Sequence, residues 1–174
     1  ECQKKQQSGE NLEKEIAKYN NFQLVRKIQL NSAYGAIGNQ YFRYYATDMA
    51  EAITTSGQLS IRWIADKLNE FLNSTVGTEE YDYVVASDTD SVYIRLGKLV
   101  DKFLGEDLTD TDRIIKFLDD SSEKIIQPFI DKQYDQLCKM MNAYENKMQM
   151  GREVIAERGV WTAKKRYALN VWDS

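Results

Sequence analysis

The run Tyr83-Val84-Val85-Ala86-Ser87-Asp88-Thr89-Asp90-Ser91-Val92-Tyr93-Ile94 decides how the chain is read. Tyr83 to Ala86 and Val92 to Ile94 are short β-branched and aromatic runs, and Ser87 to Ser91 between them is a tight polar turn. The whole reads as a β-hairpin with acids at its tip. Asp88 and Asp90 stand two apart, and in an extended or turn backbone that spacing can put both carboxylates on one side. Two carboxylates at close range repel; protonation, a cation or separation relieves them. Hard oxygen ligands favour Mg2+ or Mn2+, and Mg2+ usually takes one or two carboxylates plus substrate phosphates. Asp and Ser also make good turns, so the spacing alone leaves an ordinary structural turn open beside the metal reading.

Upstream of the hairpin, residues 10–35 are expected to be helical, because Leu12, Ile16, Tyr19, Phe22, Val25, Ile28 and Leu30 fall near the helical period. The aromatic stretch Asn39 to Tyr45 reads as the end of that helix plus a connection. A second helix is expected from Asp48, which with Glu51 resembles a capping box. Ile53, Gly57, Ser60, Ile61, Ile64, Leu68, Phe71 and Leu72 make its apolar stripe, and Asn73 to Gly77 ends it. Downstream, residues 110–144 look like one long helix, or two joined where Pro128 removes a backbone bond. The last segment alternates as two or three strands over Val154–Ala156, Val160–Trp161 and Tyr167–Trp172. Helix, helix, hairpin, helix, strands is an α+β pattern with an antiparallel sheet.

Two further groups can carry chemistry. On a helix Lys27, Asn31 and Tyr34 sit at i, i+4 and i+7, a cation, an amide and a phenol on one face. They could meet phosphate, sugar and base, or be an ordinary exposed stripe with Tyr34 half-buried. Lys164-Lys165-Arg166-Tyr167 opens an expected strand. Three cations and an aromatic suit a nucleic-acid backbone, and a basic strand end also serves solubility.

Composition narrows the classes. The 174 residues, 43% hydrophobic and 29% charged, describe an ordinary globular chain. There is no histidine, so a Ser-His-Asp triad, a Cys-His protease and a His-ligated zinc or haem site are excluded. Cys2 and Cys138 are far apart and make no CxxC, which fits a reduced cytoplasmic setting. No stretch has the roughly 18 consecutive apolar residues of a membrane helix. The net charge is −4, but it is unevenly spread: thirteen acids against five bases over residues 79–123, and six bases against two acids over 147–167. Solvated helix faces of mixed sign account for that as well as a nucleic-acid surface does. The chain begins at a polar Glu1 with no initiator Met, and is expected to be a piece of a longer one.

Taken together and in order, Lys27-Ile28-Gln29-Leu30-Asn31-Ser32-Ala33-Tyr34-Gly35, Ala86-Ser87-Asp88-Thr89-Asp90-Ser91 and Lys164-Lys165-Arg166-Tyr167 resemble the family B DNA polymerases. The flanking Gly35 to Tyr45, Ala52 to Gln58 and Trp161 to Asp173 are similar to the T-even-like bacteriophage branch. The resemblance covers nearly the whole chain. At Gly151 the sequence departs from that branch, whose pattern has an acid there.

The resemblance implies an α+β polymerase palm with an antiparallel sheet and flanking helices, plus a fingers helix at the N-terminus. Residues 1–45 would be the C-terminal part of the fingers and 46–174 an incomplete palm. It implies Asp88 and Asp90 as catalytic metal carboxylates, Asp90 the better direct ligand and Asp88 closer to the primer end, with Glu153 on the strand before as a third acid. Two Mg2+ ions, or Mn2+ in their place, would be the cofactors. Lys27, Asn31 and Tyr34 would face the incoming nucleotide, Tyr34 and Gly35 would line the nascent base pair, and Asn39 would touch the template. Lys164, Lys165, Arg166 and Tyr167 would hold the primer duplex. The implied partners are primer–template DNA, a dNTP, and the remaining polymerase polypeptide with its exonuclease, first palm motif and thumb; a sliding clamp is compatible. No membrane is implied, and the setting is the cytoplasm of a host bacterium. A D-x-x-S-L-Y-P-like motif is missing from these residues, so the chain alone is expected to be inactive, either as a fragment of a longer polypeptide or as a subunit of a split polymerase completed in trans. Two other readings remain: a nucleic-acid-binding remnant without chemistry, and a different palm enzyme such as a reverse transcriptase.

Overall fold

The computed structural model describes residues 12–105 and 110–174. Cys2 and the first two residues of the expected helix 10–35 lie outside them. The fold is α+β, and the chain divides into two units between Thr55 and Ser56.

In the first unit, α1 spans Glu13–Ile37, two residues past its expected end, and buries none of its side chains. The segment after it turns repeatedly: Phe42 N–H donates to Asn39 O, Tyr45 N–H to Phe42 O, and Ala46 N–H to Ile37 O. Helix α2, Thr47–Val76, begins here and crosses the unit boundary. Asp48 is not its cap, contrary to the capping-box expectation. Ala50 N–H already donates to Ala46 O, so Asp48 falls inside the first turn, where its charge still opposes the helix dipole.

The second unit is organised by the rest of α2. Ser60, Ile64, Leu68 and Leu72, four apart, are its buried stripe, as expected. Ile64 and Leu68 among them face Ile126, Ile130, Tyr134 and Leu137, with Val84, Val92 and Ile94 of the acidic hairpin packed on the same cluster. Helix α2 continues through Asn73 and ends at Val76, because Gly77 takes φ 76° where a Cβ would be strained. Lys102 Nζ, from the short helix α3 at Gly97–Leu104, donates to the orphan carbonyls of Thr75 and Val76.

The expected long helix is two, α4 (Thr111–Ser121) and α5 (Gln127–Met140), joined by a π-helical turn at Ser122–Ile126. Pro128 sits in the first turn of α5, where its missing N–H costs least, and the wider turn before it absorbs the break. Helix α5 stops at Met140 rather than 144. Asn142 adopts φ 51°, and the Ala143 and Asn142 N–H groups close back on Cys138 O and Lys139 O.

The strands form two separate antiparallel hairpins. Strands β1 (Val84–Asp88) and β2 (Ser91–Ile94) pair with Asp88 opposite Ser91. Strands β3 (Ile155–Ala163) and β4 (Arg166–Asp173) pair with Trp161 opposite Tyr167 and Ala163 opposite Arg166. Residues 154–156 and 160–161, read from the sequence as separable strands, belong to the single strand β3 apart from Val154.

Candidate functional site

The acidic hairpin is fixed at both ends. At its base, two asparagines one helical turn apart on α2 replace the missing sheet neighbours. Asn69 Oδ1 accepts from Tyr83 N–H at 2.8 Å and Val84 N–H at 3.0 Å. Asn73 donates to Tyr81 O and accepts from Tyr81 N–H and the Thr78 hydroxyl. At its tip, Asp90 N–H donates to Asp88 O at 2.6 Å across Thr89, whose φ is 51°. Such a three-residue turn is strained, more so for a β-branched residue. The Ser91 hydroxyl donates to Asp88 O, and the Thr89 hydroxyl to Asp88 Oδ1 at 3.0 Å. The tip is therefore a held bend, with Asp88 ending a strand and Asp90 exposed in the turn.

The second hairpin brings cations to these acids. Lys164 and Lys165 form its two-residue turn, with Lys165 at φ 64°, rather than opening the strand as expected. The ladder closes at Ala163–Arg166, and that register leaves the two lysines outside it. Lys165 Nζ lies 2.9 Å from Asp88 Oδ2. The Lys165 hydrogen bond holds the Asp88 carboxyl below its ordinary value, and Thr89 and Lys164 act in the same direction. The two hairpins also meet through aromatics. Tyr93 packs edge-on to Trp161 at 5.2 Å and to Tyr167 at 5.5 Å between ring centroids. The Tyr167 hydroxyl is pushed above its ordinary value, first by Tyr93 and also by the charges of Asp88 and Glu153.

Glu153 lies in the irregular segment ahead of β3, not on the strand, and it is exposed. Among the described residues no group of three His, Cys, Asp or Glu side chains is placed to hold a metal ion. The donor set still fits a divalent cation in part: Asp88 already attracts a cation from its own chain, and Mg2+ commonly takes only one or two carboxylates with phosphate oxygens completing its shell.

Lys27, Asn31, Tyr34 and Gly35 lie on α1 in the first unit, at the spacing that puts the three side chains in one row, and all four residues are exposed. Among the described residues their side chains make no hydrogen bond or ion pair with the chain. Asn39 follows the helix and its Oδ1 accepts from Tyr41 N–H at 3.0 Å, so this side chain shapes the turn. The structure thus gathers Asp88, Lys164, Lys165 and Tyr167 in the second unit, and Lys27, Asn31 and Tyr34 in the first. Sequence reasoning did not pick out Asn69, Tyr93 or Trp161. The signal for Asn69 was present: two asparagines four apart near a helix end, just ahead of a strand, offer side-chain amides to an unpaired backbone.

A family model described as DNA polymerase family B matches residues 3–105. The chain belongs to the family B DNA polymerases. It is 44% identical over 172 residues to the DNA-directed DNA polymerase of Enterobacteria phage T4, covering 94% of this chain and 19% of that protein. It is likewise 44% identical over 159 residues to the DNA-directed DNA polymerase of Escherichia phage RB69, covering 87% of this chain and 18% of that one. A 75-residue stretch, 43% of the chain, is 35% identical to the DNA polymerase alpha catalytic subunit of Trypanosoma brucei brucei, 5% of that protein. The chain spans about a fifth of the length of the two phage relatives. No described helix is long and apolar enough to cross a membrane.

Proposed function

We propose that this chain is the segment of a phage-type DNA polymerase that presents the acidic hairpin, the primer-gripping basic turn and the nucleotide-facing helix, with residues 1–45 serving as fingers and 46–174 as palm. One observation carries the reading: in a family B chain, the turn bearing Lys164 and Lys165 is ion-paired to the strand end bearing Asp88, beside the exposed Asp90. A basic turn set against paired carboxylates suits a primer terminus, where a phosphate backbone and divalent cations must be held together.

Asp90 and Asp88 are the carboxylates for the cations, with Glu153 as a further acid. Bound Mg2+, or Mn2+ in its place, would activate the primer 3′-hydroxyl and neutralise the triphosphate charge in template-directed nucleotide addition. The chain's own groups bind and orient. Lys27 takes triphosphate charge, Asn31 and Tyr34 take sugar and base, and Gly35 leaves the nascent pair unobstructed. Asn39 touches the template, and Lys164, Lys165, Arg166 and Tyr167 grip the primer duplex. Other parts of the polymerase, including exonuclease, first palm acid and thumb, complete the enzyme, and phage genome replication in the host cytoplasm is its setting.

The test is primer extension by the complete polymerase with Asp90→Ala. Loss of incorporation with primer–template binding retained is expected; extension at the normal rate would remove the metal assignment. A nucleic-acid-binding remnant is the second reading, favoured by the Lys165–Asp88 pair, which occupies one carboxylate. Metal-dependent dNTP incorporation dismisses it.

A further inference from the structure

The Lys165–Asp88 pair sets a cation suited to nucleic acid against an acid of the same chain, and the surroundings decide which half can let go. Asp88 is the fixed half. It ends β1, its backbone oxygen accepts from Asp90 N–H and the Ser91 hydroxyl, and its Oδ1 accepts from the Thr89 hydroxyl. That leaves Oδ2, where Lys165 Nζ stands at 2.9 Å. Lys165 is the mobile half. It sits in the two-residue turn of the second hairpin, outside the β3–β4 ladder, and its side chain is 65% exposed against 29% for Asp88. Its ammonium is a point charge on a flexible four-carbon stem, so it changes partner by rotamer alone and the hairpin need not move. Among the described residues Asp88 is its one ion-pair partner.

A phosphate that met Lys165 where it stands would lie beside the Asp88 carboxylate and near the exposed Asp90, and like charges at that range repel. The ammonium therefore serves the carboxylate or the phosphate, and not both. We propose that Asp88 withholds Lys165 from nucleic acid: in the free protein the pair is closed, and binding a primer duplex opens it, the lysine exchanging its own carboxylate for a backbone phosphate. This rests on the proposed grip of the basic turn on the primer. The pair makes that grip weaker than three free cations would give, so a phosphate gains Lys165 only where it outcompetes Asp88. Asp90, two residues on, exerts no such hold: its side chain makes no hydrogen bond or ion pair among the described residues.

The experiment is a double-mutant cycle on the complete polymerase, read by fluorescence anisotropy of a labelled primer–template at low salt, where exposed charges are least screened. A chelator removes divalent ions, so cation binding plays no part, and each variant's thermal midpoint is recorded. Asp88→Asn alone should tighten binding. Lys165→Ala should weaken it, and by about 1.5- to 5-fold more in the Asp88→Asn background than in the wild type, the range that an exposed ion pair supports. In an Asp90→Asn background the Lys165→Ala loss should match the wild-type loss; the same enhancement there would assign the effect to general charge and overturn the inference. An equal loss in the wild-type and Asp88→Asn backgrounds overturns it too, and leaves the primer grip standing. A smaller loss with Asp88→Asn overturns it by showing that Asp88 steadies Lys165 for the DNA. If Lys165→Ala has no effect in either background, Lys165 is no part of the grip, and that reading falls together with the inference. Should Asp88→Asn not fold, Asp88→Ser, which also removes the charge, carries the same cycle.

Discussion

Lys165 Nζ and Asp88 Oδ2 stand 2.9 Å apart, joining the turn of one hairpin to the strand end of the other. The bond lowers the Asp88 pKa from its ordinary value of 3.8. A lowered folded value means the pair stabilises the fold above pH 3.8 and that this contribution is lost as pH falls through the lower folded value. Lys165→Ala should therefore move the Asp88 titration up toward 3.8, read by carbon NMR of the side-chain carboxyl. A midpoint unmoved by the substitution would mean that the pair does not persist in solution.

The same turn should set the salt dependence of DNA binding. Each phosphate neutralised by a cation adds about 0.9 to the slope of log affinity against log salt on duplex DNA. Replacing Lys164, Lys165 and Arg166 together by Ala in the complete polymerase should reduce that slope by about 2 to 3. Titrations of a fluorescent primer–template over a range of salt concentrations give the number. A parallel drop in affinity with no change of slope would assign the loss to shape rather than charge.

Asn69 is a test of what holds the acidic hairpin. Its side-chain oxygen accepts from Tyr83 and Val84, and Tyr83 is fully buried. Asn69→Ala leaves those N–H groups without a partner and should cost about 1–3 kcal/mol in urea unfolding. Asn69→Asp keeps the acceptor but gives up the Nδ2 donation to Asp82 and sets a second carboxylate beside it, so it should cost less than alanine only at low pH, where the carboxyls are protonated. Equal losses at low pH would mean that burial, and not the side-chain oxygen, is what matters at this position.

How much of this was legible follows a physical line. The stripe Ser60, Ile64, Leu68, Leu72 and the acidic hairpin were readable because a helical period and a period of two are local patterns. The extra helix Gly97–Leu104 escaped because eight residues make only about two turns, a window too short to tell a helical period from a short apolar run, although its apolar side chains do fall on one face. Lys164 and Lys165 were placed in a strand because the pairing register, a non-local quantity, decides that they form the turn. The same holds for the site. Asp88 and Asp90 announced themselves by spacing, while the Lys165–Asp88 bond, the Tyr93 aromatic contacts and the ion pairs of Arg152 with Asp119 and Asp173 join residues 21 to 77 apart that only folding brings together.

Leu68 measures the core beneath the hairpin. It is wholly inaccessible and packs among Ile64, Ile126, Ile130, Tyr134 and Leu137. Leu68→Ala should cost about 2–5 kcal/mol, the range for removing a buried leucine side chain and leaving a cavity. Urea unfolding followed by far-ultraviolet circular dichroism reads it. A cost well under 1 kcal/mol would show the cluster to be loosely packed.

Gly159 tests whether the aromatic contact between the hairpins depends on backbone space. A Cβ at this position would lie 2.5 and 2.7 Å from the Trp161 ring and 2.8 Å from Leu169. Real carbon contacts do not come so close, so the ring must move. The indole is rigid and is itself packed on Tyr93 and against Tyr167, so it cannot shift without loosening the cluster that seats the basic turn beside Asp88. Gly159→Ala should thus change tryptophan near-ultraviolet circular dichroism and weaken primer–template binding. Pairing it with Trp161→Ala, which removes the ring and leaves only the flexible end of Leu169 to give way, should recover stability but not binding, because the contact to Tyr93 is then gone. If Gly159→Ala left both the spectrum and the binding as they were, the indole would have to have an alternative seat, and the aromatic cluster would not be what aligns the two hairpins.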